Sequence, residues 1–165
     1  MASLFDKAAL GSLELQNHLV IAPMTRSRAT DNIPNALMAE YYGQRSSAGL
    51  IISEGISPSP NGLGYPRIPG LFSAAQVKGW KACTAAAHAG GAKIFAQLMH
   101  CGRVVHPLNM PVGAKAVAPS ALGIPGEMYT DAQGMQPHPV PEAMSVRDIN
   151  DAIAEYAAAA RNGIE

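Results

Sequence analysis

Short apolar runs alternate with longer amphipathic stretches along this chain, and the alternation predicts its elements. Leu10-Gly11-Ser12-Leu13-Glu14-Leu15 alternates around a Gly-Ser turn, the period of a half-exposed strand pair, and predicts a hairpin flooring the domain. His18-Leu19-Val20-Ile21-Ala22 is a compact apolar run that stops at Pro23 and passes into Met24-Thr25-Arg26-Ser27-Arg28, as a buried strand ending in a polar loop does. Asn35 caps a helix predicted over 36–48, with Leu37, Met38 and Tyr41 on its buried face and Gly49 as its stop. Leu50 to Ser53 reads as a second strand. It runs into Glu54-Gly55 and a Pro-, Gly- and Asn-rich loop from Ile56 to Leu71, too long to be a mere connector.

The pattern then repeats. Ser73 with Gln76 makes a capping box for a helix whose inward face carries Val77, Trp80, Thr84 and Ala87 and which stops at Gly90-Gly91. In the third strand, Ile94 to Leu98, the apolar run Ile94-Phe95-Ala96 leads straight into Gln97, Met99, His100 and Arg103, so a buried parallel strand delivers polar side chains to its carboxyl end, where α/β folds place their sites. From Gly102 to Pro141 prolines and glycines are dense and periodicity is lost. This reads as an excursion capping the site, with a hairpin around Val117-Ala118-Pro119-Ser120. Ser145 and Asp148 box the start of a last helix whose Ile149, Ile153, Tyr156 and Ala160 share one predicted buried face. The pattern is α/β: three strands and three helices of a repeating βα array, with Asn162-Gly163-Ile164-Glu165 as the run-up to a further strand.

Composition narrows the function classes. With 12 basic and 12 acidic side chains among 165 residues and 48% hydrophobic residues, the chain has the balance of one globular domain and no field to attract nucleic acid or an anionic membrane. Cys83 and Cys101 form no metal or disulfide pattern, which suits a reducing compartment. The amino-terminal residues lack the apolar run of a signal peptide, and no stretch is apolar enough for a membrane span, so a cytoplasmic location is expected. His88, His106 and His138 have no metal-ligand spacing, and no metal site is expected. His100 and Arg103 read as residues that hold the loop after the third strand. Gly62-Leu63-Gly64 begins like a dinucleotide fingerprint, but Arg67 stands where its third glycine belongs and no helix opens there. Finally, a complete (β/α)8 barrel takes about 250 residues, more than this chain has.

Five motifs follow one another in a recognisable order. These are Ile21-Ala22-Pro23-Met24-Thr25-Arg26-Ser27-Arg28-Ala29 with Leu37 to Arg45, then Ile51-Ile52-Ser53-Glu54-Gly55, Gly64-Tyr65-Pro66 with Pro69-Gly70, Gln97-Leu98-Met99-His100-Cys101-Gly102-Arg103, and Val117-Ala118-Pro119-Ser120. Together they resemble the old yellow enzyme family of FMN-dependent ene-reductases over essentially the whole chain. The resemblance implies that residues 1–165 are the amino-terminal portion of a single FMN-binding (β/α)8 TIM-barrel domain: about three βα units, the hairpin and the excursion. It implies FMN as cofactor, NADPH or NADH as hydride donor, and an activated alkene as substrate, such as an enone, nitroalkene or maleimide. Cofactor-binding positions would be Pro23, Met24, Thr25, Gly55 and Gln97. Pro23 and Gly55 bring backbone to the ring, Thr25 donates to the flavin O4, and Gln97 faces the pyrimidine edge, where its amide can both donate and accept. Tyr65 and Met99 would belong to the substrate pocket, Met99 replacing a usual Trp, and Cys101 replaces a small residue as an inert thiol.

No catalytic residue is expected within the chain, because the family's His/Asn substrate pair and Tyr proton donor belong beyond Glu165. The other reading is a non-catalytic βα module. A three-strand parallel sheet has two unpaired edges, so either a complementing carboxyl-terminal half or further copies of the chain are expected as partners.

Overall fold

The computed structural model describes residues 3–165. Its first elements are β1 (Ala8–Leu10) and β2 (Leu13–Leu15), an antiparallel hairpin that turns at Gly11, where φ is +58°. The two residues after it act as a clamp. The Gln16 carboxamide donates to the carbonyls of Ser46, Ala48 and Gly90, while Asn17 donates to Ser47 and accepts the Leu19 amide. The hairpin therefore sits beneath the chain segments that enter the second and third core strands, the floor that the alternation predicts.

The core sheet contains β3 (Val20–Ile21), β4 (Leu50–Ile56) and β5 (Lys93–Leu98), all parallel, in the order β3-β4-β5. Helix α1 (Ala36–Gly43) joins β3 to β4, α2 (Ala74–Ala89) joins β4 to β5, and α3 (Val146–Asn162) closes the chain. Ile21, Ile51 and Ile94 lie level across the sheet and face the helices, where Met38, Tyr42, Trp80, Cys83, Ala87 and Ala159 complete one core. The opposite face carries Ile52 and Phe95, and Phe95 is 43% exposed.

Both predicted capping boxes form. The Ser73 hydroxyl accepts from the Gln76 amide while Gln76 Oε1 accepts from Ser73, and Ser145 and Asp148 exchange the same pair of bonds. Four expectations are corrected. Helix α1 ends at Gly43, and residues 44–48 form turns held from outside by Gln16 and Asn17. Its buried residues are Met38 and Tyr42, with Leu37 exposed, because the Tyr42 hydroxyl follows a polar partner into the core. On α3 the small Ala159 meets the core, which permits close approach to the sheet. The branched residues Val146, Ile149 and Ile153 face outward, Ile153 being 64% exposed. Gly49 is likewise not a helix stop. A Cβ there would collide with the Asn17 carbonyl oxygen.

The excursion also departs from expectation. Val117–Ala118 is a strand, β6, but it pairs in parallel with β9 (Glu142–Ala143) instead of turning back on itself. The hairpin lies between them, as β7 (Glu127–Thr130) and β8 (Gly134–Pro137). Short polar strands such as Gly134–Pro137 carry too little apolar alternation to be read from sequence. Among the described residues no helix is long and apolar enough to cross a membrane.

Gly49→Ala tests the clamp. The added methyl must displace backbone, so the variant is expected to lose about 1–3 kcal/mol of unfolding free energy, read from its urea midpoint at unchanged slope.

Candidate functional site

Parallel strands place the carboxyl ends of β3, β4 and β5 at one end of the sheet, where Gly55 and Gln97 lie level with each other and the loop carrying Pro23, Met24 and Thr25 leaves β3. A register shift in β4 arranges them. Ile52 is level with Phe95, but Gly55, three residues on, is level with Gln97, only two residues on. The extra residue is a bulge, and it flips the alternation of everything beyond it. Ser53 makes good the interrupted ladder, its hydroxyl accepting from the Gln97 amide at 3.0 Å and donating to the Glu54 carbonyl at 2.8 Å. As a result Glu54 turns toward the helices, Ile56 returns to the core, and Gly55 lies beside Gln97 on the open face with Ile52 and Phe95.

Glu54 is 2% exposed. Its carboxylate accepts from the Tyr42 hydroxyl at 3.4 Å and the Arg26 backbone amide at 3.5 Å, and its own amide donates to the Tyr42 oxygen at 3.1 Å. Burial raises its pKa above the ordinary 4.5, opposed by the Arg26 amide, the Tyr42 hydroxyl and the Arg26 charge. Burial likewise pushes the Tyr42 hydroxyl upward and the Cys83 thiol up to about 12, the Glu54 charge adding to both shifts.

The loop after β3 carries Pro23, Met24 and Thr25, all exposed. Side chains from elsewhere hold it. Glu54 takes the Arg26 amide, Arg67 Nε donates to the Ser27 carbonyl at 2.9 Å, and Asn35 donates to the Arg28 carbonyl at 2.7 Å. The Arg26 guanidinium lies 5.7 Å from the centre of the Tyr41 ring. Among the described residues neither the Thr25 hydroxyl nor the Gln97 carboxamide is engaged by another protein group, so both are available to a ligand.

Met99 donates its amide to the Ile56 carbonyl, and its thioether folds onto Gly55: a Cβ on Gly55 would lie 2.8 Å from Met99 Sδ. Tyr65, 37% exposed, belongs to the loop after β4. It lines a cleft with Ser27, Arg67, Tyr129, Met135 and His138, beneath the β7–β8 hairpin. Cys101 is half-buried and its thiol is raised to about 11 by burial, which fits an inert role. His100 accepts the Gly102 amide, burial lowering its pKa, and Arg103 donates to the Leu122 carbonyl, so both hold the loop as predicted.

Sequence reasoning passed over Ser53, Glu54 and Arg67 as individual contributors. The available signals were a lone carboxylate inside an apolar strand and an arginine among loop glycines and prolines.

Residues 3–165 match the model of the NADH:flavin oxidoreductase / NADH oxidase family. Rice (Oryza sativa subsp. japonica) 12-oxophytodienoate reductase 7 is 36% identical over 169 residues, covering 99% of this chain and 42% of that protein. Among solved structures, the old yellow enzyme homologue from Zymomonas mobilis superposes with a TM-score of 0.92 at 44% identity, over 99% of this chain and 45% of that one. Morphinone reductase in complex with tetrahydroNAD superposes at 0.88 and 42% identity, over 98% and 46%. The fold is thus a partial TIM barrel, and the chain spans less than half the length of each of these proteins.

The buried carboxyl gives a pH signature of known sign. The folded chain holds the Glu54 proton to higher pH than the unfolded chain does. This group's contribution to stability is therefore full below about pH 4.5, falls as pH rises through the raised folded-state value, and stays low above it. Glu54→Gln removes that loss, so its stability relative to wild type should improve from acid toward neutral pH. Urea midpoints of both proteins across the series check this, and a difference moving the opposite way refutes it.

Proposed function

The chain belongs to the NADH:flavin oxidoreductase / NADH oxidase family, and from that membership we propose that it forms the flavin-facing part of an enzyme that reduces activated C=C bonds. Hydride would come from NADPH or NADH, and the substrates would be α,β-unsaturated carbonyls, nitroalkenes or maleimides. The observation that carries this is the pair of uncommitted polar groups at the strand ends, the Thr25 hydroxyl in the loop after β3 and the Gln97 carboxamide on β5, with the side-chain-free Gly55 of β4 beside Gln97 beneath Met99. A flat heteroaromatic ring with carbonyl and N–H groups along its edge suits such a set, so these residues fit FMN.

When bound, FMN supplies two-electron hydride exchange between the nicotinamide and the alkene. The chain's own residues bind and orient. Pro23, Met24 and Gly55 offer backbone and apolar surface to the ring, and Gln97 supplies both a donor and an acceptor at its pyrimidine edge. Thr25 donates at the O4 side, where a donor stabilises negative charge and so raises the reduction potential. Tyr65 and Met99 border the space for substrate, Met99 with a flexible thioether where the resemblance implies a flat wall. The groups that would bind the substrate oxygen and return a proton to its α-carbon belong to strands outside residues 1–165.

A second reading is favoured by the uncovered apolar surface. Val20 on one outer strand, Phe95 on the other, and the Val146, Ile149 and Ile153 stripe are all exposed. In this reading the chain is one part of a split barrel completed by another polypeptide, or it associates with copies of itself.

Incubating the purified chain with FMN, removing free flavin by gel filtration and recording the visible spectrum tests the proposal. Flavin retained with the protein supports it, and a colourless protein shows that this ledge does not bind FMN unaided. NADPH-dependent reduction of 2-cyclohexenone by the chain alone is expected to be undetectable, and robust turnover would refute the assignment of substrate anchor and proton donor to other strands. In a full-length barrel carrying these residues, Thr25→Ala should lower the two-electron flavin potential by about 20 mV, the equivalent of one net hydrogen bond of about 1 kcal/mol. An unchanged potential removes the O4 assignment.

A further inference from the structure

Arg67 adopts φ +51° and Ser27 adopts φ +53°, left-handed conformations uncommon for residues with a Cβ. The two meet. Arg67 Nε donates to the Ser27 carbonyl at 2.9 Å, and the Arg67 carbonyl accepts from the Ala29 amide at 2.9 Å, so side chain and backbone of one residue hold both ends of the segment that follows Thr25. The other end of the same guanidinium pairs with Asp131, at the tip of the β7–β8 hairpin. Asn109 makes a parallel tie, donating to the Gly64 carbonyl at 3.1 Å and the Tyr129 carbonyl at 2.9 Å. Between these ties lies the cleft bordered by Tyr65 and Tyr129.

We propose that Arg67 is a positioning residue that ties the loop carrying Thr25 to the β7–β8 hairpin, so that the loop and the hairpin wall of the cleft are set as one unit. The planar fork of a guanidinium suits this role, because it can present Nε and a terminal nitrogen to two acceptors in fixed relation, which a lysine ammonium cannot do. The hairpin buries Met128 and Thr130 on its inner face and leaves Tyr129 and Met135 exposed. Burial seats the hairpin's inner face, and the Arg67 tie links its tip to the loop, so a change at Asp131 is transmitted through Arg67 to Ser27. The functional consequence rests on the reading that Pro23 to Arg28 faces a flavin; the tie itself does not.

Amide hydrogen exchange on the flavin-free chain decides it, with wild type compared to Arg67→Asn and Asp131→Asn. Asparagine tolerates the left-handed backbone, so Arg67→Asn removes both side-chain ties without imposing strain. The Arg26 and Ala29 amides are expected to exchange on the order of tenfold faster in Arg67→Asn, with the urea midpoint and exchange in α2 unchanged. Asp131→Asn should accelerate the same two amides by about threefold, although it alters only the hairpin end of the tie. Unchanged exchange at these amides in Arg67→Asn overturns the proposal. So does an Asp131→Asn effect confined to 127–137, or a uniform acceleration that includes α2. An FMN titration run alongside separates the two readings: a wild-type chain that binds no FMN counts against the flavin assignment, while the exchange data still judge Arg67.

Discussion

The site depends on one extra residue in β4. Side chains alternate along a strand, so without the bulge Glu54 would point onto the open face and Gly55 would lie beneath the helices. With it, the open face receives a glycine beside Gln97 on which the Met99 thioether can rest, and the carboxylate goes to the helix side, where Tyr42 and the Arg26 amide meet it. Ser53 makes the shift tolerable, because its hydroxyl both accepts and donates where two ladder partners have been pulled out of line. The bulge, the buried acid and the choice of Tyr42 as a core residue of α1 are one arrangement.

That arrangement also explains how a loop with few backbone bonds of its own holds a shape. Residues after β3 leave the sheet almost at once, and their order comes from Glu54, Asn35 and Arg67, side chains belonging to three different segments. Carrying a carboxylate into the core costs stability unless hydrogen bonds offset the lost hydration. Here the bonds that offset it are long, the pKa of Glu54 is raised, and the same bonds fix the Arg26 amide. Local stability is thus given up to place a loop, as is common where a surface must present groups to a ligand.

Among the described residues the sheet has two unpaired edges, and the chain spans under half the length of the relatives named above. Parallel strands are ordinarily buried on both faces, and Val20 and Phe95 are exposed on strands that each lack a described partner on the outer edge. The same holds for α3. Its small residues allow close approach to β5, while its branched stripe has nothing described to pack against.

Local pattern in the sequence by itself determined the kind and order of the main elements. The Ser73 and Ser145 capping boxes, the floor hairpin and the role of His100 depend on residues within a few positions of one another, and they read correctly, as did the repeating succession of strands and helices. The ordered motifs likewise identified the family and its partial barrel. What needed the tertiary structure was every choice between faces. Whether Leu37 or Tyr42 is buried on α1, whether Ile153 or Ala159 meets the sheet, and whether Glu54 or Gly55 faces the site are decided by partners far along the chain. The β7–β8 hairpin and the Arg67 tie escaped for the same reason: two four-residue strands and a few long-range bonds are too short and too scattered to leave a periodic trace in sequence.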